Sequence, residues 1–349
     1  LQTVSIGHKR IGPHEPVFII AEAGVNHNGD VEMARQLVDV AAEAGADAVK
    51  FQTFKAEQVA SPSAPKAGYQ LGATGAGESQ QEMLRSLELS PKDHYVLRDH
   101  CERKGLIFLS TPFAEDSADF LDELGVPGFK IASGEITNFP FLQHVARKGK
   151  PLILSTGMSW LGEVDEAVRT IRSVGTKELI LLHCVSRYPA DPAEANLRAI
   201  RTMEGVFQIP VGFSDHTLGA EVALAAAAIG ARVLEKHFTL DRALPGPDHR
   251  ASLEPQELKA LVRGVRKVEQ ALGHGRKEPS AGELETAAVA RRSLVAACEI
   301  EPNTVLTESM VGIKRPGTGI SPSMLPYVIG RTVKTRLTAG ALITSEVLV

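Results

Sequence analysis

Two apolar runs in the chain end on an acid and a histidine. "VGFSDHTLG" (211–219) places Asp215 and His216 where the apolar pattern stops, and "ARVLEKHFTL" (231–240) places Glu235 and His237 there. Neighbouring strand backbones lie about 5 Å apart, so two imidazoles at adjacent strand ends can reach one divalent cation that keeps open coordination positions. Glu235 and Asp215 then stand near enough to support the histidines or to join them as ligands. Two nitrogens completed by water or substrate oxygens suit Mn²⁺, Mg²⁺, Fe²⁺ or Co²⁺ more than a closed structural zinc site. The spacing alone also fits two structural or acid–base histidines; equivalent placement on successive strands is what turns the reading toward a metal.

The other apolar runs end in polar residues too. Glu22 precedes "NHNGD"; Lys50 and Gln52 close the second run; Ser110 and Thr111 the third; Lys130, Ser133 and Glu135 the fourth. Ser155 and Thr156 stand before a glycine, Ser186 and Tyr188 follow the sixth run, and Ser214 opens the Ser-Asp-His triplet. Two lysines, several hydroxyls and the backbone N–H groups of "STP", "SGE" and "STG" are donors suited to a compact polyanion such as a phosphate ester. Each Ser or Thr is equally suited, by itself, to cap the helix that follows it. Further on, "PGPD" presents Asp248 on a rigid loop, as a ligand for substrate hydroxyls or as a turn residue, and His249 beside it reads equally well as a solvated loop residue.

The elements that must position these groups are short β-branched runs at 17–21, 46–51, 106–109, 128–131, 151–154, 179–183, 210–213 and 231–235. Between them lie helix-period stretches such as "VEMARQLVDVAAEAG" and "LGEVDEAVRTIRSVG", each closed by a glycine suited to a helix C-terminus. Strand–helix alternation sustained this long predicts an α/β protein with a (β/α)8 (TIM) barrel, whose chemistry sits on the loops leaving the strand C-termini. A dinucleotide fold loses ground because no G-x-G-x-x-G follows the first strand.

A chain of 349 residues with 43% apolar content supports a large core plus a second domain. A barrel is expected over 1–272, a linker over the Gly-, Pro- and charge-rich 273–285, and a small β-rich module over 286–349. In that module "EIEPNTVLTESMV" (299–311) lies over "RLTAGALITSEVL" (336–348), with Ile300 on Leu337, and "IKRPGTGIS" sets Lys314 and Arg315 before a flexible loop. The formal charge of −4 is interspersed, which gives no footprint for nucleic acid or an anionic membrane. "VALAAAAIGA" (222–231) is too short to span a bilayer, the start lacks the apolar stretch of a signal peptide, and Cys101, Cys184 and Cys298 form neither a disulfide framework nor a zinc spacing. A cytoplasmic, reduced protein is expected.

Read in order, "AEAGVNHNGD", "AGADAVKFQ", "FLSTPF", "KIASGE", "LSTGM", "LHCVSRYPA", "GFSDHT", "LEKHFT", "PGPDH" and "KRPGTG" resemble the sialic acid synthase family, including its legionaminic acid synthases, across essentially the whole chain. The resemblance implies a transferase that condenses phosphoenolpyruvate with an N-acetylated hexosamine, on a barrel followed by an antifreeze-like (SAF) domain. It implies phosphoenolpyruvate contacts from Lys50, Thr111, Lys130, Ser133, Ser155, Ser186 and Ser214, and a catalytic role for Glu22 toward the water that adds at C2. It implies a cation on His216 and His237, and sugar contacts from Gln52, Tyr188 and Asp248. Arg315 matches an arginine that family members supply from the other subunit to the sugar's N-acyl group, which implies a domain-swapped homodimer. Ser186 departs from members that carry Asn there, which puts its phosphoenolpyruvate contact in question.

N-acetylmannosamine is the first acceptor implied, and 2,4-diacetamido-2,4,6-trideoxymannose the alternative. A synthase for phosphorylated aldoses would need a second cationic cluster and no antifreeze-like tail, the reverse of this chain on both counts. A non-catalytic carbohydrate-binding protein would be expected to lack Glu22, Lys50, Lys130 or the histidines, and all of them are present.

Overall fold

The computed structural model describes residues 2–349. It divides into two compact units, one ending at Gly273 and the other running His274–Val349.

In the first unit a hairpin of β1 (Val4–Ile6) and β2 (Lys9–Ile11) precedes eight parallel strands. These are β3 (Phe18–Gly24), β4 (Ala48–Thr53), β5 (Ile107–Pro112), β6 (Phe129–Ile131), β7 (Leu152–Ser155), β8 (Leu179–Cys184), β9 (Val211–Asp215) and β10 (Val233–His237). Hydrogen-bonded neighbours run in the order β5-β4-β3-β10-β9-β8-β7-β6, and β6 returns beside β5, so the eight form a nearly closed barrel as expected. The strands match the apolar runs to within a few residues and continue into the polar residues beyond them.

Side-chain alternation then sorts every strand. Residues of one parity, Phe18, Ile20, Ala48, Ile107, Leu109, Ile153, Ile180, Leu182 and Val233, fill the lumen and pack against Val4, Ile6 and Ile11 of the hairpin, which plugs its lower end. Residues of the other parity, among them Ile19, Val49, Phe108, Phe129, Leu154, Leu181, Phe213 and Leu234, face the helices. Continuing the first parity upward meets Glu22, Lys50, Thr111, Lys130, Ser155, Ser214 and Glu235: the lumen is apolar below and ionic above.

The helices form by ordinary means. In α1 (Val31–Ala44) the Asp30 carboxylate accepts hydrogen bonds from the Glu32 and Met33 amides, and Gly45 ends the helix at φ 81°. Ala34, Leu37, Val38, Ala41 and Ala44 recur at helical spacing and are buried; full burial of a side chain such as Leu37 contributes roughly 1.5–3 kcal/mol. At the lower rim the buried Asp47 accepts from the Ile19 amide at 2.9 Å, Lys9 Nζ at 2.7 Å and Arg266 Nη2 at 3.0 Å. Strand β3, the hairpin and the last barrel helix, α11 (Pro255–Leu272), are thereby tied together.

One connection departs from the sequence reading, which placed no elements between β4 and the "PKDHYVLRDHCERKG" helix, α5 (Pro91–Arg103). It holds three short helices, α2 (Ala56–Val59), α3 (Gly68–Thr74) and α4 (Gln80–Arg85). Val25, Phe54, Met83 and Leu87, joined by Leu84 and Phe113, make a small core of their own there.

The second unit begins inside the expected linker. Its helix α12 (Ala281–Ala290) opens on a reciprocal Ser280–Glu283 cap. An antiparallel pair follows, β11 (Ser293–Ala296) with β12 (Val311–Lys314), and the rest is turns and isolated bridges. The faint repeat is an internal two-fold: Ile300 and Leu337 exchange both backbone hydrogen bonds at 2.9 Å, and Ala297 N to Met310 O is repeated by Lys334 N to Val347 O. Leu294, Ile300, Leu306, Val333, Leu337 and Ile343 from both halves share one core.

Candidate active site

The strand C-termini open into a cavity of about 390 Å³. Glu22, Lys50, Gln52, Thr111, Lys130, Ser133, Ser155, Ser186, Tyr188, Ser214, His216, His237 and Asp248 all line it, joined by Glu235. The barrel therefore brings together every site residue expected of it. Arg315 lies in the second unit, exposed.

Register explains the convergence. His237 pairs with Glu22 across β10 and β3, Glu22 with Lys50 across β3 and β4, Gln52 with Thr111 across β4 and β5, and Glu235 with Ser214 across β10 and β9. The result is a buried ionic network. Lys50 Nζ stands 2.7 Å from Glu22 Oε2 and 3.6 Å from Glu235 Oε2, and donates to Thr111 Oγ1 at 3.0 Å. Lys130 Nζ stands 3.4 Å from Glu235 Oε1, which also accepts from Ser214 Oγ at 2.8 Å. The lysines are thus not the free cations that the sequence suggested; Glu235 lies between them.

Burial alone would raise the Glu235 carboxyl, yet Lys130, Lys50 and the Ser214 hydrogen bond bring it down to about 2. Glu22 goes the other way, to about 7, because burial, reinforced by the Glu235 charge, outweighs Lys50. With both carboxylates ionised, Glu22, Glu235, Lys50 and Lys130 carry no net charge, and a proton on Glu22 makes the group cationic. Ser155 Oγ is buried without a hydrogen-bond partner among the described residues, and Glu22 Oε2 and Glu235 Oε2 meet only the Lys50 ammonium, at 2.7 and 3.6 Å. A buried hydroxyl is costly to leave unpaired, and its opening on the cavity marks a place for a ligand's polar atom.

Around the ends of β6, β7 and β8 the packing is tight. The Gly157 amide donates to Ser133 Oγ at 2.9 Å, and Ser133 Oγ lies 3.1 Å from Cys184 Sγ. A Cβ on Gly157 would fall 2.2 Å from Ser186 Oγ and 2.8 Å from Cys184 Sγ, so any other residue must displace these side chains. Neither Gly157 nor Cys184 was singled out from the sequence, although Cys184 continues the lumen parity of Ile180 and Leu182.

His216 and His237 face each other with ring centroids 5.5 Å apart, and Tyr188 lies over His216 at 4.1 Å. The Val185 carbonyl, 2.7 Å from His216 Nδ1, can only accept, so Nδ1 carries the proton and Nε2 the lone pair. His237 Nδ1 is buried without a partner among the described residues. Burial lowers both imidazoles, His216 to about 4, so both are neutral at neutral pH, the form that binds metal. The described residues contain no group of three or more His, Cys, Asp or Glu side chains arranged for a metal. The pair therefore suits an ion whose remaining positions are taken by water or substrate.

Asp215 corrects the reading that put it beside these histidines. Having the outward parity, it accepts from Lys236 Nζ at 2.7 Å and from the Thr217 amide and hydroxyl, and both members of the Asp215–Lys236 pair are 1% exposed. Ser110 and Thr156 also turn away, to Thr53 Oγ1 and the Leu182 carbonyl. His249 is fully buried rather than solvated, against Thr239 Oγ1 at 2.6 Å and Asn28 Oδ1 at 3.2 Å. Asn26 donates to the Phe238 carbonyl and Ser252 Oγ, so "NHNGD" clamps the loop that carries Asp248. Asp248 is itself buried and lines the cavity; burial raises its carboxyl to about 6, with Lys50 pulling the other way.

Among known proteins, a model described as the NeuB family matches residues 37–277, and one described as the SAF domain matches 291–349. N,N'-diacetyllegionaminic acid synthase of Legionella pneumophila is 48% identical over 96% of this chain and 95% of its own. N-acetylneuraminate-9-phosphate synthase of Homo sapiens is 37% identical over 93% of this chain and 90% of its own. Among solved structures, N-acetylneuraminic acid synthetase of Leptospira borgpetersenii, in complex with citrate, is 38% identical, with a TM-score of 0.72 over 82% of this chain and 95% of that one.

Proposed function

The chain belongs to the NeuB family, and from that membership and the barrel mouth we propose that it condenses phosphoenolpyruvate with an unphosphorylated N-acetylated hexosamine and releases phosphate. The observation that carries this reading is one cavity holding Lys50, Lys130 and five hydroxyls beside a pair of neutral histidines and a carboxyl titrating near neutrality.

In this reading Lys50, Thr111, Lys130, Ser133, Ser155, Ser186 and Ser214 hold the phosphate and carboxylate of phosphoenolpyruvate. Gln52, Tyr188 and Asp248 orient the open-chain sugar so that its aldehyde carbon faces C3 of phosphoenolpyruvate. His216 and His237 would hold a divalent cation, Mn²⁺ before Mg²⁺ or Co²⁺, which would supply Lewis acidity toward the aldehyde. As C3 attacks, C2 becomes electrophilic and takes a water that Glu22, ionised, orients and deprotonates. The tetrahedral carbon then expels phosphate by C–O cleavage, leaving a nine-carbon 2-keto acid. Arg315 is assigned to the sugar's N-acyl group from one protomer to its partner, in a domain-swapped homodimer.

N-acetylmannosamine is the acceptor this site is first expected to take, giving N-acetylneuraminate. The 48% identity to N,N'-diacetyllegionaminic acid synthase favours a second reading, with 2,4-diacetamido-2,4,6-trideoxymannose as acceptor. The test is mass spectrometry of products formed from phosphoenolpyruvate, Mn²⁺ and each sugar, with chelated controls. A nine-carbon keto acid with stoichiometric phosphate supports the reading; neither product from either sugar overturns it.

A further inference from the structure

The polar strand ends form the floor of the cavity, and one wall belongs to the connection between β4 and α5, through Tyr69, Gln70, Met83, Leu84 and Leu87. Within that wall Tyr69 makes a contact to which the proposed condensation gives no part. It is half-buried, near the start of α3.

Tyr69 is the outermost of three stacked rings. Its centroid lies 4.9 Å from that of Tyr188 at an interplanar angle of 30°, and Tyr188 lies 4.1 Å from His216 at 32°. Two rings so close to one centroid, and so nearly parallel to it, would overlap if they shared a face. Tyr188 is therefore sandwiched, with Tyr69 on one face and His216 on the other. Tyr188 also meets His237 edge on, at 5.6 Å and 90°. One phenol ring packs against both imidazoles, and Tyr69 backs it.

The backing ring is firmly mounted. A seven-residue helix has little stability of its own in water, and α3 is pinned at both ends. The Lys66 side chain, 2% exposed, donates to Thr74 Oγ1 at 2.9 Å, to the Gly75 carbonyl at 3.1 Å and to Glu78 Oε1 at 3.1 Å. The Ala67 amide donates to Gln70 Oε1 at 2.9 Å, and Thr74 Oγ1 donates to the Gln70 carbonyl at 3.0 Å. Residues 66–78 are thereby closed into a compact loop that carries Tyr69 to the mouth.

His216 gains from such backing. The Val185 carbonyl fixes which of its nitrogens faces the cavity, but contacts in the ring plane, this one and Ser214 Oγ at 3.4 Å from Nε2, leave the ring free to tilt. A ring packed on the imidazole face removes that freedom, and groups that orient a metal-binding histidine are worth about 10–100-fold in metal affinity. We infer that Tyr69 is a positioning residue for the cation site, holding His216 through Tyr188 in the orientation that its Nε2 needs. This rests on the reading above in which His216 and His237 hold a divalent cation, and it ties that site to a connection outside the strand ends.

The experiment measures Mn²⁺ affinity by calorimetry on the full chain without substrate, for wild type, Tyr69→Phe and Tyr69→Leu, with circular dichroism to check folding. Tyr69→Leu keeps an apolar side chain but no flat face, and is expected to weaken Mn²⁺ about tenfold. Tyr69→Phe keeps the face and is expected to bind as wild type does. By linkage, Mn²⁺ is expected to slow amide hydrogen exchange across α3 in wild type and not in Tyr69→Leu. Unchanged affinity in a folded Tyr69→Leu protein, a Tyr69→Phe protein as weak as Tyr69→Leu, or wild-type exchange indifferent to bound Mn²⁺ overturns the inference. Wild type that binds no Mn²⁺ sinks the cation reading and this inference with it, a distinguishable result.

Discussion

The strand ends and the connection between β4 and α5 line one cavity but are held by opposite means. On the floor, charges are buried in pairs: Glu235 has Lys50 at 3.6 Å and Lys130 at 3.4 Å, and strand register sets those separations. On the wall, short helices meet around the apolar Met83 and Leu87, and the ion pairs of the same connection, such as Arg85–Glu57 at 2.6 Å, lie at the surface rather than on the cavity. A charge in low dielectric is tolerable only while its partner stays, so the floor changes as a unit. An apolar surface loses in proportion to the area removed, so the wall can be altered by degrees. Two linings of one cavity thus differ in how much change each tolerates.

The strongest test of the floor is His216→Ala. Mn²⁺ binding measured by calorimetry is expected to be lost, and phosphate release to fall by about 10³-fold, as removal of a Lewis acid worth several kcal/mol requires. Retained Mn²⁺ affinity would place the ion elsewhere.

Next in size, Glu235→Gln leaves two buried lysines short of a partner and should cost about 3–5 kcal/mol in urea denaturation. Adding Lys130→Met should cost less than the two single changes together, because the second change removes a stranded charge. Strict additivity would mean that the floor behaves like the wall.

A smaller effect is expected of Gly157→Ala. The added Cβ displaces Ser186, Cys184 or Ser133, and the KM for phosphoenolpyruvate should rise by about tenfold with the melting temperature little changed. An effect of similar size concerns pH. Asp248 titrates near 6 when folded and at the ordinary 3.8 when unfolded, so between those values the folded state holds a proton that the unfolded state has lost. Stability therefore falls as pH rises through that window. Asp248→Asn should remove that decline, gaining on the order of 1–3 kcal/mol relative to wild type at pH 7 compared with pH 4. Parallel curves for the two proteins would refute the assignment.

Much of the floor was legible because a strand's two-residue alternation is strict. Once the runs ending at Glu22, Lys50, Thr111, Lys130, Ser155, Ser214 and Glu235 are strands, these residues must share the lumen. Reading strand ends by composition alone, without that parity, is what drew Asp215 to the histidines. The wall was not legible: helices of 4, 7 and 6 residues are too short to show a hydrophobic period. Nor was the contact of Cys184 with Ser133, since a lone cysteine has neither bridge nor zinc spacing to mark it. His249 sits in a Pro-Gly-Pro loop whose composition suggests solvent, and only the long-range contact with Asn28 shows otherwise. The half-modules of the second unit were visible as a repeat, but not that Ile300 and Leu337 pair with each other across it.

The buried Asp215–Lys236 pair has a consequence for folding fidelity. Strands β9 and β10 could in principle zip together one residue out of step, which would turn Lys236 into the lumen and His237 toward the helices. With Asp215 opposite Lys236 in the native register and both sealed from water, the slipped arrangement strands two charges at once. The pair sits behind the reactive surface and touches no substrate, yet it makes the arrangement that presents both histidines the one alignment of these strands in which neither charge is abandoned.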